Sequence, residues 1–299
     1  MFKRGFTFCV ALVGLCLWLE IRADTGGLDA EKLKLLPRYC GFAIPNRLTR
    51  GASTQLFENP WIALLQYAHD DQIEHGCSGA LINNRYVLTA AHCLVNRTEF
   101  QLLNVRLGEF DKSQYSDCTN AGYESEKECA EPADDYDIES IALHPDYDGK
   151  TFQNDIGLIR LNRDVTMHDN TSPICLPTES TLRSAAIPKL IARGWGTCGN
   201  QTGSSALQAS VLTPVDGMEC NRAIPGVSVS GDQICATRFT GMDVGGPVGA
   251  VMPHSHAAPK FVQLGIASGA MELCERADVP GVYTRVASYM EWILETIRA

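Results

Sequence analysis

An imidazole, a carboxylate and a glycine-rich turn stand out in this sequence for the chemistry they could do together. Thr89-Ala90-Ala91-His92-Cys93 ends a β-type segment with a histidine, and Asn154-Asp155-Ile156-Gly157-Leu158-Ile159 starts another with an aspartate. Gly194-Trp195-Gly196 and Gly241-Met242-Asp243-Val244-Gly245-Gly246-Pro247 follow. An imidazole accepts a proton near neutral pH, and a carboxylate beside it fixes which ring nitrogen is free to do so. Attack on an acyl carbon needs a third group, a hydroxyl that surrenders its proton to that imidazole.

The elements that must carry these groups are short and β-rich. Trp61–Tyr67, Arg85–Thr89, Val105–Phe110, Ile156–Leu161, Lys189–Arg193, Phe261–Ala267 and Gly281–Val286 are apolar segments separated by turn residues. Only Ala287–Ile297 places apolar residues, Met290, Ile293, Leu294 and Ile297, at helical spacing. An all-β chain with one C-terminal helix is therefore predicted, with no internal repeat. Tyr115–Glu139 reads as a long acidic loop stapled within by Cys118 and Cys129.

Composition narrows the classes further. The 299 residues are 45% hydrophobic and 20% charged, with a formal charge of -10 and no Lys/Arg run, which argues against a nucleic-acid partner and for a cationic one. Residues 1–23 carry Lys3 and Arg4, then an apolar run from Phe6 to Leu19, the layout of a secretory signal peptide. That run is shorter than the roughly 20 residues of a membrane span, so a secreted protein with no membrane association is expected. Cys9 and Cys16 leave with the leader, so twelve cysteines become ten, an even number for an oxidising compartment. Sequons begin at Asn96, Asn170 and Asn200, with Pro173 weakening the second.

Taken in order with Pro280-Gly281-Val282-Tyr283 and the final helix, the four strings resemble the chymotrypsin/trypsin family of secreted serine proteases from Leu48 to the C-terminus. The resemblance implies two six-stranded antiparallel β-barrels, the trypsin-like fold, with the active site in the cleft between them. It divides the chain into a leader (1–23), a short light-chain segment with Cys40 (24–47) and a protease-homologue domain (48–299). His92 and Asp155 match the base and its orienting carboxylate.

Four departures fall in one centre. The family's nucleophilic Ser aligns with Val244, whose isopropyl group neither loses a proton nor attacks. Met242 stands where a Gly helps form the oxyanion hole with the backbone of Val244. Losing one such donor costs about 2.7–4 kcal/mol of transition-state stabilisation. Only eight residues, Ala236 to Asp243, separate Cys235 from Val244, so the pocket-floor loop is shortened and Arg238 and Phe239 fall where a trypsin-like pocket carboxylate would stand. Gly269-Ala270 replace the usual Trp-Gly of the pocket wall. Ser268 matches the family's cleft-wall serine.

The resemblance also implies cleavage after Arg47, freeing Leu48 to insert toward Asp243, although Thr49 and Arg50 depart from the usual Val-Gly. It implies the bridges Cys40–Cys175, Cys77–Cys93 and Cys220–Cys235, with Cys118–Cys129 as in insect clip-domain proteases. Cys198 and Cys274 remain, as a replacement bridge or as two free thiols. Glu109 matches the first carboxylate of the calcium loop in trypsin relatives; no cofactor is expected, with calcium at this loop as the alternative. With His144-Pro145-Asp146-Tyr147, the likeness is to arthropod clip-family serine protease homologues, but 24–39 hold no cysteine, so no clip module is expected.

The expected function is a secreted, catalytically inactive homologue. It would bind extracellular proteins, active cascade proteases or their substrates, as a regulator or adaptor in a cascade such as melanisation or Toll-type immune signalling. An active serine endopeptidase and a free-standing glycan or surface binding module are the alternatives.

Overall fold

The computed structural model describes residues 25–42, 52–70, 72–95, 100–120, 127–186, 189–196, 203–224, 226, 228–237, 244–254, 257–269 and 280–299. The leader, Arg47 and Leu48, the sequons at Asn96 and Asn200, Cys198 and Cys274, and Arg238, Phe239, Met242, Asp243 and Ala270 lie outside them.

Chain order begins with β1 (Ala52–Ser53), β2 (Ile62–His69), β3 (Gln72–Leu81), β4 (Tyr86–Thr89), α1 (Ala91–Leu94) and β5 (Gln101–Leu107). The hairpin β6 (Cys118–Asn120) and β7 (Lys127–Cys129), then β8 (Asp134–Leu143) and β9 (Gly157–Leu161), complete the first half. The second half holds α2 (Ser180–Ser184), β10 (Leu190–Gly194), β11 (Gln208–Leu212), α3 (Gly217–Ala223), β12 (Gln233–Ala236), β13 (Pro247–His254), β14 (Ala257–Gly269), β15 (Gly281–Arg285) and α4 (Met290–Thr296).

Six strands close the first barrel in the order β2-β3-β4-β9-β8-β5. The second sheet runs β11-β10-β13-β14-β15-β12, again six strands, with the two-residue β1 added outside β11. The trypsin-like architecture predicted from the motifs is thus present. One buried cluster fills the first barrel and extends to Met290, Ile293, Leu294 and Ile297, so α4 covers that barrel with the apolar stripe its spacing predicts. A second cluster around Leu190, Val248, Val262 and Tyr283 fills the other sheet.

The acidic stretch 115–139 departs from its reading as a loop, because its end belongs to the ten-residue strand β8. Exposed carboxylates disfavour strand by propensity, but here Asp134, Asp135 and Glu139 each find a cation, and Asp137 accepts from the Asn162 amide at 3.0 Å. Arg106 binds Asp135 at 2.7 Å, Arg163 binds Asp134 at 2.9 Å, and Glu139 receives Arg85, Arg160 and Arg298.

The segment 25–42 straps across the body. Arg183 donates to the carbonyl of Thr25 at 2.7 Å, Asn83 to that of Leu35 at 3.1 Å and Lys260 to that of Arg38 at 2.9 Å. Cys40–Cys175 fastens its end, and Cys77–Cys93, Cys118–Cys129 and Cys220–Cys235 form as the resemblance implied.

Candidate active site

β4 and β9 are antiparallel neighbours with Thr89 opposite Gly157, so the end of one strand lies beside the start of the other. That register brings the histidine just after β4 next to the aspartate just before β9. α1 can lie on this junction because Gly157 has no side chain: a Cβ there would come within 2.5 Å of Leu94 Cδ1. Asn154 adopts φ 54°, a left-handed conformation that Asn tolerates better than most residues. Its side chain holds that turn by donating to the Asp146 carbonyl at 2.8 Å and accepting from the Tyr289 hydroxyl at 3.0 Å.

Asp155 is fully buried and fully engaged. Its Oδ2 lies 2.7 Å from His92 Nδ1, its Oδ1 accepts the His92 backbone N–H at 2.9 Å, and Ser268 Oγ donates to Oδ2. Thr284 donates to its carbonyl at 2.8 Å. A carboxylate at Nδ1 selects the tautomer with its proton on Nδ1 and a lone pair on Nε2. The motif Ala267-Ser268-Gly269 marks the serine in sequence, but nothing local in sequence shows that its hydroxyl reaches Asp155.

Val244, which the resemblance aligns with the nucleophile, lies on the turn before β13, bridged to Cys77. Its carbonyl accepts from Ser78 N–H at 2.9 Å, and Gly245 N–H donates to the Ala267 carbonyl at 2.8 Å. Gly245 has φ 77°, and a Cβ there would meet Thr89 Oγ1 at 2.4 Å and Cys93 Sγ at 2.9 Å. The turn therefore presses against the Cys77–Cys93 bridge, the same sulfur that His92 Nε2 faces at 3.5 Å. Disulfide sulfur carries no proton, so neither it nor the Val244 side chain supplies the O–H that this base would take. Cys77, His92 and Cys93 also converge closely enough to suggest a metal site, but bonded sulfurs are not thiolates.

One expectation needs correction. Asn170 is only 7% exposed, and its Nδ2 donates to the carbonyls of Gly108 at 3.1 Å and Glu131 at 2.8 Å, so a glycan on that nitrogen does not fit the folded chain. Glu109 is buried two residues beyond β5. Its Oε1 accepts the Phe110 N–H at 3.0 Å, its Oε2 faces Arg106 at 3.6 Å, and among the described residues no group of three carboxylates converges there. Asp117 and Asp111 stand close enough to act on this carboxyl, and Arg106 is the cation beside it. Burial, then the neighbouring Asp117, holds the Glu109 pKa above the ordinary carboxylate range.

The sequence profile of the Trypsin family matches residues 48–293. Among curated proteins, this chain is 36% identical to CLIP domain-containing serine protease B10 of Anopheles gambiae over 87% of this chain and 72% of that one. It is 37% identical to Melanization protease 1 of Drosophila melanogaster over 89% and 70% of the two. Among solved structures, it is similar to the Drosophila Grass clip serine protease of the Toll pathway, with a TM-score of 0.82 and 32% identity over 90% of this chain and 78% of that one.

Proposed function

We propose, from the premise that this chain belongs to the trypsin family, that it is a secreted protease homologue that does not cut peptide bonds and works by binding protein. The observation that carries the reading is Val244. Acyl transfer on this fold splits one difficult step into two through a covalent intermediate on a hydroxyl, and an isopropyl group forms none. Met242 and the eight-residue span from Cys235 to Val244 support it, because a Cβ stands where the oxyanion hole favours glycine, which misaims the backbone N–H there, and the pocket floor is short. His92, Asp155 and Ser268 then serve as a buried hydrogen-bonded support for the cleft.

Relatives named for melanization and for the Toll pathway favour extracellular cascade proteases or their substrates as partners, with this chain as regulator or adaptor. Secretion is supported by the leader and by the four disulfides, and no helix among the described residues is long and apolar enough to cross a membrane. Cleavage after Arg47, a Leu48 amine paired with Asp243, glycans on Asn96 and Asn200, and a Cys198–Cys274 bridge belong to the same proposal.

The competing endopeptidase reading draws on the intact His92–Asp155 pair. A fluorophosphonate probe applied to chain cleaved after Arg47 separates the two, since covalent labelling requires a nucleophilic serine. No labelling is expected; stoichiometric labelling of a cleft serine overturns the proposal in favour of active proteolysis.

A further inference from the structure

Between the strap 25–42 and the body lies a cavity of about 300 Å³ that shares no residue with the His92–Asp155 site. Its wall is apolar: Leu33, Leu36 and Pro37 come from the strap, and Ile82, Ile174 and Leu176 from the body. The last three are nearly inaccessible to solvent and form the floor. The Cys40–Cys175 bridge holds the two walls together.

The polar groups are at one side. Arg38 is exposed, Lys260 is half-buried, both line the cavity, and the Lys260 ammonium donates to the Arg38 carbonyl at 2.9 Å. Neither has a carboxylate partner among the described residues, in a chain of formal charge -10 whose β8 ladder pairs Arg106 and Arg163 with carboxylates. Glu179, the one acid in the lining, is buried and already engaged within the fold, and it disfavours a second carboxylate placed deep. An apolar interior at the lower end of ligand-pocket volumes, lined by two cations without a carboxylate partner among the described residues, is complementary to an apolar tail ending in an anion.

We propose that this cavity binds a medium-chain aliphatic carboxylate, with the tail against Leu33, Leu36 and Pro37 of the strap and the carboxylate at Arg38 and Lys260. The site is independent of whether the cleft is catalytic. It depends on the strap remaining attached, which makes Cys40–Cys175 part of it.

The test is calorimetric titration of the full secreted chain with sodium dodecanoate, and with dodecyltrimethylammonium as the same tail of opposite charge. The expected result is saturable one-to-one binding of dodecanoate, with a rise in Tm, at least tenfold tighter than the cation. Arg38→Glu combined with Lys260→Glu, both at the surface, should weaken dodecanoate tenfold or more. Leu33→Trp, which fills the cavity, should abolish it. Absence of saturable binding, equal binding of the two amphiphiles, or unchanged affinity in the charge-reversed variant overturns the proposal.

Discussion

Both carboxylate oxygens of Asp155 are committed to His92, Oδ2 at 2.7 Å from the ring Nδ1 and Oδ1 at 2.9 Å from the backbone nitrogen. An arrangement that fixes the histidine at ring and main chain together serves catalysis when a hydroxyl faces Nε2, and serves packing when none does. Here Nε2 faces the Cys93 sulfur instead.

His92→Ala is expected to destabilise the fold by about 1–3 kcal/mol, because a fully buried carboxylate then loses a partner that nothing replaces. Urea unfolding of His92→Ala, Asp155→Asn and the double variant measures it. A coupling energy of about 0.5–3 kcal/mol is expected for groups in contact; simple additivity would show that the pair contributes no mutual stability.

Arg193 is the opposite case, a buried charge without a carboxylate hydrogen-bonded to it among the described residues. It is 7% exposed, its Nε has no hydrogen-bond partner, and its guanidinium lies over Phe261 at 4.5 Å and Trp61 at 5.9 Å. Burial pushes its pKa down to about 10, with the charge of Glu58 opposing the shift. Replacing a poorly compensated buried charge by an apolar side chain of similar length is often neutral or stabilising. Arg193→Met should leave Tm unchanged or raise it, whereas Arg193→Ala should lower it by opening a void between the same rings. A marked loss of stability in Arg193→Met would show that the cation–π contacts outweigh the desolvation of the guanidinium.

How much of this was legible in the sequence depended on where each signal resides. Trp61–Tyr67 and Arg85–Thr89 are apolar runs and became β2 and β4 nearly in register, because their burial on both faces is written in their composition. β8 was missed because its acids are held by Arg106 and Arg163, each 29 positions away from the carboxylate it binds. His92, Asp155 and Val244 were found through local strings, as were the four bridges through the family they resemble. The contact of Ser268 with Asp155 joins residues 113 apart and has no local signature. Asn170 failed as a glycan site for a related reason: the sequon is local, but its burial against Gly108 and Glu131 is tertiary.

Tyr289 links the C-terminal turn to the site and titrates high. Its hydroxyl donates to Asn154 Oδ1 at 3.0 Å, and burial, with the charges of Asp232 and Asp155 adding, pushes its pKa up to about 12. An unfolded tyrosine loses its proton near 10, so between about 10 and 12 the native state holds more protons than the unfolded one. Stability therefore falls as pH rises through that window. Tyr289→Phe should cost about 0.5–1.5 kcal/mol at neutral pH from the lost hydrogen bond. The deficit relative to wild type should shrink above pH 10, as followed by urea unfolding. A constant difference from pH 7 to 11 would show that the phenol titrates normally in the folded chain.

Val244→Ser alone is expected not to restore measurable peptide hydrolysis. The substitution returns a hydroxyl beside the disulfide that His92 Nε2 faces, and the pair with Asp155 is already in place, so restoring the nucleophile looks sufficient. The rest of the machinery argues against it. Met242 puts a Cβ where the trypsin family has glycine, which turns its backbone N–H away from the oxyanion, and a donor that does not reach costs about 2.7–4 kcal/mol. The span from Ala236 to Asp243 is short for a specificity pocket, and Gly269-Ala270 replace a wall on which substrate backbone would be positioned. Positioning and electrostatic stabilisation supply much of the rate in this mechanism, and a triad without them leaves little. The measurement is turnover by chain cleaved after Arg47 that carries Val244→Ser, with and without Met242→Gly, on fluorogenic peptides with basic, aromatic and small residues before the scissile bond. Fluorophosphonate labelling of the single variant without turnover would fit a competent nucleophile in an incompetent site. Robust turnover by the single variant would mean that the oxyanion hole and pocket are whole and that the valine is the only lesion.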